Sequence, residues 1–158
     1  MGSPGDFGSP VEVKVKSLLN YQQKGIAIIL LEDSEGKWGL PILAKSSEVA
    51  SIDLSLSGQK SPRPLSHDLL ASIIHNLQAR LLHVLIDILE EPLCHGIIAV
   101  ELQGREIDFD SRPSDAIALA MRAQVPIYIS ASVVAKGAIH YDQYDWFSDL
   151  AGKARLQN

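Results

Sequence analysis

Two short segments concentrate the residues that could do chemistry. Arg63-Pro64-Leu65-Ser66-His67-Asp68 and Arg112-Pro113-Ser114-Asp115 each set Arg-Pro just ahead of a helical pattern and place Ser and Asp in its first turn. Proline suits that position because its φ is preset and its missing N–H would be unpaired there anyway. Free backbone N–H groups at a helix start bind anions, and an adjacent arginine adds a planar fork that fits a phosphate or carboxylate. The pair reads as two anion cradles, or as two capped helices whose arginines pair with acidic neighbours such as Asp110 or Glu106. His67 stands beside the first cradle. It is placed to act as general acid or base near neutral pH, or to make a local hydrogen bond at a helix start. Upstream of the second cradle, Glu106, Asp108 and Asp110 alternate with Ile107 and Phe109 and share one face of a strand. Successive carboxylates on that face lie ~6.8 Å apart, near enough for two side chains to converge on Mg²⁺, Mn²⁺ or Ca²⁺. The other reading is a solvated acidic face on an edge strand.

The remaining polar residues narrow the chemistry. His67 and His75 are ~12 Å apart by helical rise and cannot share a metal, and His83, His95 and His140 have no ligand spacing. Ser66 and Ser114 lack a nucleophile elbow and read as helix caps. The single cysteine, Cys94, forms no internal disulfide and suits a reducing interior. With 14 Lys+Arg against 19 Asp+Glu, the net charge of −5 removes the commonest sign of a nucleic-acid binder, so any phosphate site must be local. No run approaches the ~20 apolar residues of a membrane span. Residues 1–10 are rich in Gly, Ser and Pro and read as a disordered lead or an expression scar.

These groups need a scaffold, and 158 residues with 46% hydrophobic content allow one domain with a substantial core. Alternation from Val11 to Lys16 predicts a half-buried strand, and the continuous apolar run Gly25 to Glu32 one covered on both faces. A polar turn at Asp33–Lys37 joins it to a strand over Trp38–Leu43. Ser46 and Ser47 offer caps, with Glu48 favourable at the positive end of a short helix that Gly58 stops. A second helix starts at Ser66, with Leu69, Leu70, Ile73, Ile74 and Leu77 as its buried stripe. Strands follow at Leu81–Leu89, Ile97–Leu102 and Glu106–Asp110, the last two a hairpin about Gly104. Pro113–Ala123 is apolar almost all round and predicts a central helix. Pro126–Ser130 is a last short strand and Ser132–Lys136 a helical turn. Residues 138–158 form a tail in which Asp142, Tyr144, Asp145 and Trp146 suit partner docking or folding back onto the domain. The fold class is α+β: a compact single domain, residues 11–137, with a mixed or antiparallel sheet and three main helices packed on it.

The run Ile107-Asp108-Phe109-Asp110-Ser111-Arg112-Pro113-Ser114-Asp115-Ala116-Ile117-Ala118-Leu119-Ala120 closely resembles the bifunctional nuclease family. So do the Arg63–Leu70 segment and Leu40-Pro41-Ile42 followed by Glu48. The resemblance covers Val11 to Lys136. It implies an intracellular, often oligomeric domain, a dimer or trimer, found in the cytoplasm of bacteria or in plant plastids once a targeting segment is removed. It also implies a nuclease, a hydrolase acting as both DNase and RNase without sequence preference; the acidic charge then predicts weak, salt-sensitive nucleic-acid binding at one small site, and the lack of a long apolar run predicts no membrane association. Its matching polar positions are Glu48, Arg63, His67, Asp68, Asp110, Arg112, Ser114 and Asp115. On that reading His67, Asp68, Asp110 and Asp115 are catalytic. Arg63, Arg112 and Ser114 bind phosphate, and Asp110, Asp115 and Glu48 hold a divalent cation, Mg or Mn. Where the family tends to carry a glycine after Pro41-Ile42, this chain has Leu43-Ala44-Lys45. The competing expectation is a non-catalytic oligomeric binding or regulatory domain in which Arg-Pro-Ser-Asp is a structural lock.

Overall fold

The computed structural model describes residues 8–90 and 93–142. Strands β1 (Val11–Tyr21), β2 (Ile26–Asp33) and β3 (Trp38–Lys45) form an antiparallel meander, followed by a short 3₁₀ turn at Ser46–Glu48 and helix α1 (Ala50–Ser57). Helix α2 (Ser66–Asn76) leads to β4 (Arg80–Glu90), β5 (Leu93–Leu102) and β6 (Arg105–Ser111). Then come α3 (Pro113–Ala123), β7 (Ile127–Ile129), α4 (Ala131–Gly137) and β8 (Ile139–His140). All eight strands join one sheet in the order β6-β5-β4-β7-β1-β2-β3-β8, with β4 and β7 parallel and the other pairs antiparallel. The α+β expectation holds. None of the described helices is long and apolar enough to cross a membrane.

The core sits between the sheet and α3, where Ala116 to Ala120 are fully buried against Ile29, Leu31, Val84 and Ile86. Small alanines let α3 lie close to the sheet, so the helix with the all-round apolar pattern is the central one. The β5–β6 turn places Gln103 and Gly104 at φ 52° and 76°, the positive pair that a two-residue hairpin of the sheet's own twist requires. Strand β1 runs to Tyr21, five residues past the expected Lys16, because an irregularity between Val15 and Ser17 lets pairing with β2 resume after the alternation fails.

Helix α2 differs from expectation. It contains no buried residue, and Leu69, Leu70, Ile73 and Leu77 of the predicted stripe are exposed; within the stripe, Ile74 packs against the core. The amphipathic spacing is real, but α2 lies along the flank of α3, so its apolar face looks into a cleft rather than onto the sheet. The serine caps differ as well. Ser46 donates to the Ile26 carbonyl, and the backbone N–H of Lys45 is met by Glu48 instead.

The β2–β3 turn rests on Asp33, whose carboxylate accepts from the backbone N–H groups of Glu35, Lys37 and Trp38. Burial works against its ionisation, but those hydrogen bonds prevail and hold its pKa below the usual carboxylate range. Asp33→Ala is expected to cost about 1–2 kcal/mol, the penalty for leaving such donors unpaired. Because the folded-state pKa is depressed, this contribution is present above the unfolded value near ~3.9 and is lost as pH falls through the folded one. Urea midpoints of wild type and variant should therefore converge on acidification; a gap that stays constant with pH would contradict this account of the turn.

Candidate functional site

The second Arg-Pro segment is held in place by a close approach of backbones. At Gly96 on β5, a Cβ would lie 2.6 Å from Ala116 Cβ, 2.8 Å from Ser111 Oγ and 3.0 Å from the Arg112 carbonyl. Glycine at this position lets the start of α3 sit directly on the strand. Ser111 Oγ fastens the same junction by donating to the Gly96 carbonyl at 3.0 Å. Pro113 then opens the helix, and Arg112 is the residue before it, in an extended conformation.

From that position the Arg112 guanidinium makes three bonds. Nε and Nη2 reach the two carboxylate oxygens of Asp115 at 2.6 and 3.0 Å, and Nη1 reaches Glu48 Oε1 at 2.5 Å. Ser114 Oγ donates to the other Glu48 oxygen at 3.2 Å. The second Arg-Pro segment thus closes on the 3₁₀ turn after β3, and the partners of Arg112 are Glu48 and Asp115 rather than the expected Asp110 or Glu106. Asp115 reaches a fourth element, since its Oδ1 lies 3.1 Å from His67 Nε2 at the start of α2.

Burial of Asp115 opposes its ionisation, yet hydrogen bonds from Arg112 and His67 outweigh that penalty and hold its pKa below the ordinary range. Hydrogen bonding and charge pairing with Asp115 first, and with Glu48 next, raise the Arg112 pKa further. An ionised Asp115 accepts from His67 Nε2–H, and in the neutral imidazole that pairing makes Nδ1 the acceptor. That nitrogen makes no hydrogen bond among the described residues and is not sealed from solvent. The result is a base with its orienting carboxylate, and an arginine on the far side of that carboxylate. His67 and Asp115 stand with Ser66, Asp110 and Ser111 at the polar end of a cleft of about 550 Å³ between α2 and β5–β6.

The other candidate residues lie around this cluster rather than in it. Asp110 accepts from His95 Nδ1 at 2.7 Å, a second histidine–carboxylate pair. Asp68 caps its own helix through the Leu65 N–H at 2.8 Å and pairs with Arg122 at 2.9 Å. Arg63 is exposed on the loop before α2 and makes no ion pair among the described residues. Ser66 lines the cleft without capping α2, and Ser114 bonds Glu48 rather than a backbone N–H. Among the described residues no group of three His, Cys, Asp or Glu is placed to hold a metal ion. Glu48, Asp110 and Asp115 do not form one donor set as they stand, because Arg112 lies between two of them and Asp110 turns to His95. Glu106 and Asp108 remain exposed on the edge strand β6. Arg122 and His95 had no signal in the local sequence, since their partners become neighbours only through the packing of α3 on α2 and of β5 on β6. The expected tail lies outside the described residues from residue 143 onward.

A family model described as the bifunctional nuclease domain matches residues 29–142, which hold Glu48, His67, Arg112 and Asp115. The chain belongs to the bifunctional nuclease domain family. Two uncharacterized proteins of Mycobacterium tuberculosis, one from strain CDC 1551 and one from strain H37Rv, are each 35% identical to it over 128 residues, 81% of this chain and 76% of theirs. In this bifunctional nuclease domain the network of Glu48, His67, Arg112, Ser114 and Asp115 ties together the turn after β3 and the starts of α2 and α3.

Proposed function

We propose that the protein is a nuclease that hydrolyses phosphodiester bonds in RNA and DNA without sequence preference, using His67 as its proton-transferring group. The observation that carries this reading is the His67–Asp115 pair at the cleft mouth, where one ring nitrogen meets a carboxylate and the other makes no hydrogen bond among the described residues. His67 Nδ1 takes a proton from the attacking water, whose oxygen bonds to phosphorus as the P–O bond to the leaving strand breaks; Asp115 stabilises the imidazolium that forms, and the leaving oxygen is protonated from solvent. Arg112 has five N–H donors, of which three are engaged, and its side chain is 59% exposed, so two donors remain for a phosphate oxygen. Membership of the nuclease family and the free thiol of Cys94, whose pKa is raised by burial and by Asp87, support an intracellular hydrolase.

A second reading rests on one specific observation. Every nitrogen of the Arg112 guanidinium is already bonded, and one arginine between two carboxylates leaves the trio net negative, which suits an internal lock in a binding domain better than a phosphate clamp. His67→Ala separates the two. On the nuclease reading, cleavage of single-stranded RNA and DNA by highly purified protein falls by about 10²–10⁴-fold while the urea midpoint moves little. Cleavage that is unchanged in His67→Ala, measured with and without a chelator, overturns the role of His67. Absence of cleavage by the wild type at any metal concentration favours the lock.

A further inference from the structure

The cleft continues away from His67 as an apolar trough. Leu70 of α2 and Leu77 just past its end form one wall, Ile107 and Phe109 of β6 the other, and Leu119 of α3 lines its buried side. Leu70, Leu77, Ile107 and Phe109 are all exposed, and Phe109 is 51% accessible at the rim. Its volume of about 550 Å³ is within the range of pockets that take a small, flat organic group. Among the described residues that form the trough walls, none is a lysine or arginine. The outer face of β6 presents Glu106 and Asp108 to solvent, which repels a polyanion lying along it. Beyond the one phosphodiester at His67 and Arg112, a nucleic acid bound here therefore gains little from phosphate contacts, and most of its affinity must come from a neutral part of the strand.

We infer that the trough is the seat of one unpaired nucleobase, stacked on Phe109 and enclosed by Leu70, Leu77 and Ile107, from the strand whose phosphodiester is presented to His67. The inference rests on the proposed nuclease activity for its choice of occupant. It follows from continuity, since the apolar walls begin where the polar mouth of the site ends and a base adjoins every phosphodiester. Ser66 at the mouth offers a hydroxyl to the polar edge of the base. A base still paired in a duplex cannot enter, so the cleft selects single strands.

The test reads binding apart from turnover. A single-stranded oligonucleotide carrying 2-aminopurine, and the same oligonucleotide annealed to its complement, are titrated with wild-type protein and with His67→Ala, Phe109→Ala and Phe109→Trp variants. The expected result is fluorescence quenching by the wild type and His67→Ala with the single strand and much weaker binding of the duplex. Phe109→Ala should lose affinity by about tenfold or more and Phe109→Trp should retain it. Affinity should depend only weakly on salt, in contrast to phosphate-driven binding. Unchanged binding by Phe109→Ala, or equal binding of duplex and single strand, overturns the base site. So does a drop in sedimentation coefficient on Phe109→Ala, which shows that a second copy of the chain covers this face. If cleavage survives in His67→Ala, the activity assignment falls while the quenching still reports on the trough.

Discussion

Arg112→Ala is expected to destabilise the protein by about 2 kcal/mol and to lower its melting temperature by about 4–8 °C. The guanidinium is shared by Asp115 and by Glu48, whose side chain is only 11% exposed. Removing it leaves two carboxylates facing each other with no cation between them. Breaking a fully buried pair costs about 3–5 kcal/mol. The lower figure applies because Arg112 itself is 59% exposed and water screens the pair. Acid should narrow the gap. Asp115 has its pKa depressed in the folded wild type, so its contribution is complete above the unfolded value near ~3.9 and disappears as pH falls through the folded one. Without Arg112 that depression weakens, so the two proteins should approach each other in stability below about pH 4. Adding Glu48→Gln to Arg112→Ala should recover part of the loss, because one of the opposed charges is gone. Arg112→Lys keeps the charge but not the planar fork, so it should preserve most of the stability while releasing the orientation of Asp115 and hence of His67. Urea unfolding of the four proteins across pH reads this directly. A gap between wild type and Arg112→Ala that does not shrink on acidification would show that the network is not what the substitution removes.

Gly96→Val should be more damaging still, at about 3 kcal/mol or above, although local preference argues for the opposite sign. Valine is a strong strand former and glycine a weak one, so by propensity alone the change strengthens β5. Tertiary structure reverses that expectation. A Cβ at this point lies 2.6 Å from Ala116 Cβ and 3.0 Å from the Arg112 carbonyl, and neither is the far end of a flexible chain. Relief requires α3 to lift from the sheet, opening the core around Ile117 and Leu119 and moving Arg112 away from Glu48. Gly96→Ala should show the same effect at about 1–3 kcal/mol. On the nuclease reading proposed above, both variants lose cleavage together with stability, because Arg112 and Asp115 move with the start of α3. A Gly96→Val protein with a wild-type urea midpoint would mean that the α3–β5 junction has slack the structure does not show.

Much of the fold was legible locally. The alternation at Val11–Val15, the apolar run of β2, the glycine at the β5–β6 turn and the all-round apolar helix at 113–123 each correspond to an observed element. Local geometry sets these patterns, because a strand repeats every two residues and a helix about every 3.6. Periodicity was less informative where it states only that a face is apolar and not what meets it. The α2 stripe has the right spacing for burial, and its outer residues are exposed because α2 lies beside α3 rather than on the sheet. The centre of the sheet was likewise beyond local reading, since the three-residue strand β7 gains its place by pairing with β4 on one side and β1 on the other.

The candidate site divides along the same line. From the sequence alone come the two Arg-Pro helix starts, the placement of His67 and Asp115 in their first turns, and the family to which the residues belong. Which of these residues meet is decided by the tertiary structure. Arg112 bonds Glu48 across 64 positions, His67 meets Asp115 across 48, and Asp68 and Asp110 are drawn off to Arg122 and His95. A helix start announces itself through capping chemistry within a few residues. The partner of a charged side chain is set by how β3, α2 and α3 come together, through burial spread over the whole core rather than recorded at any one position.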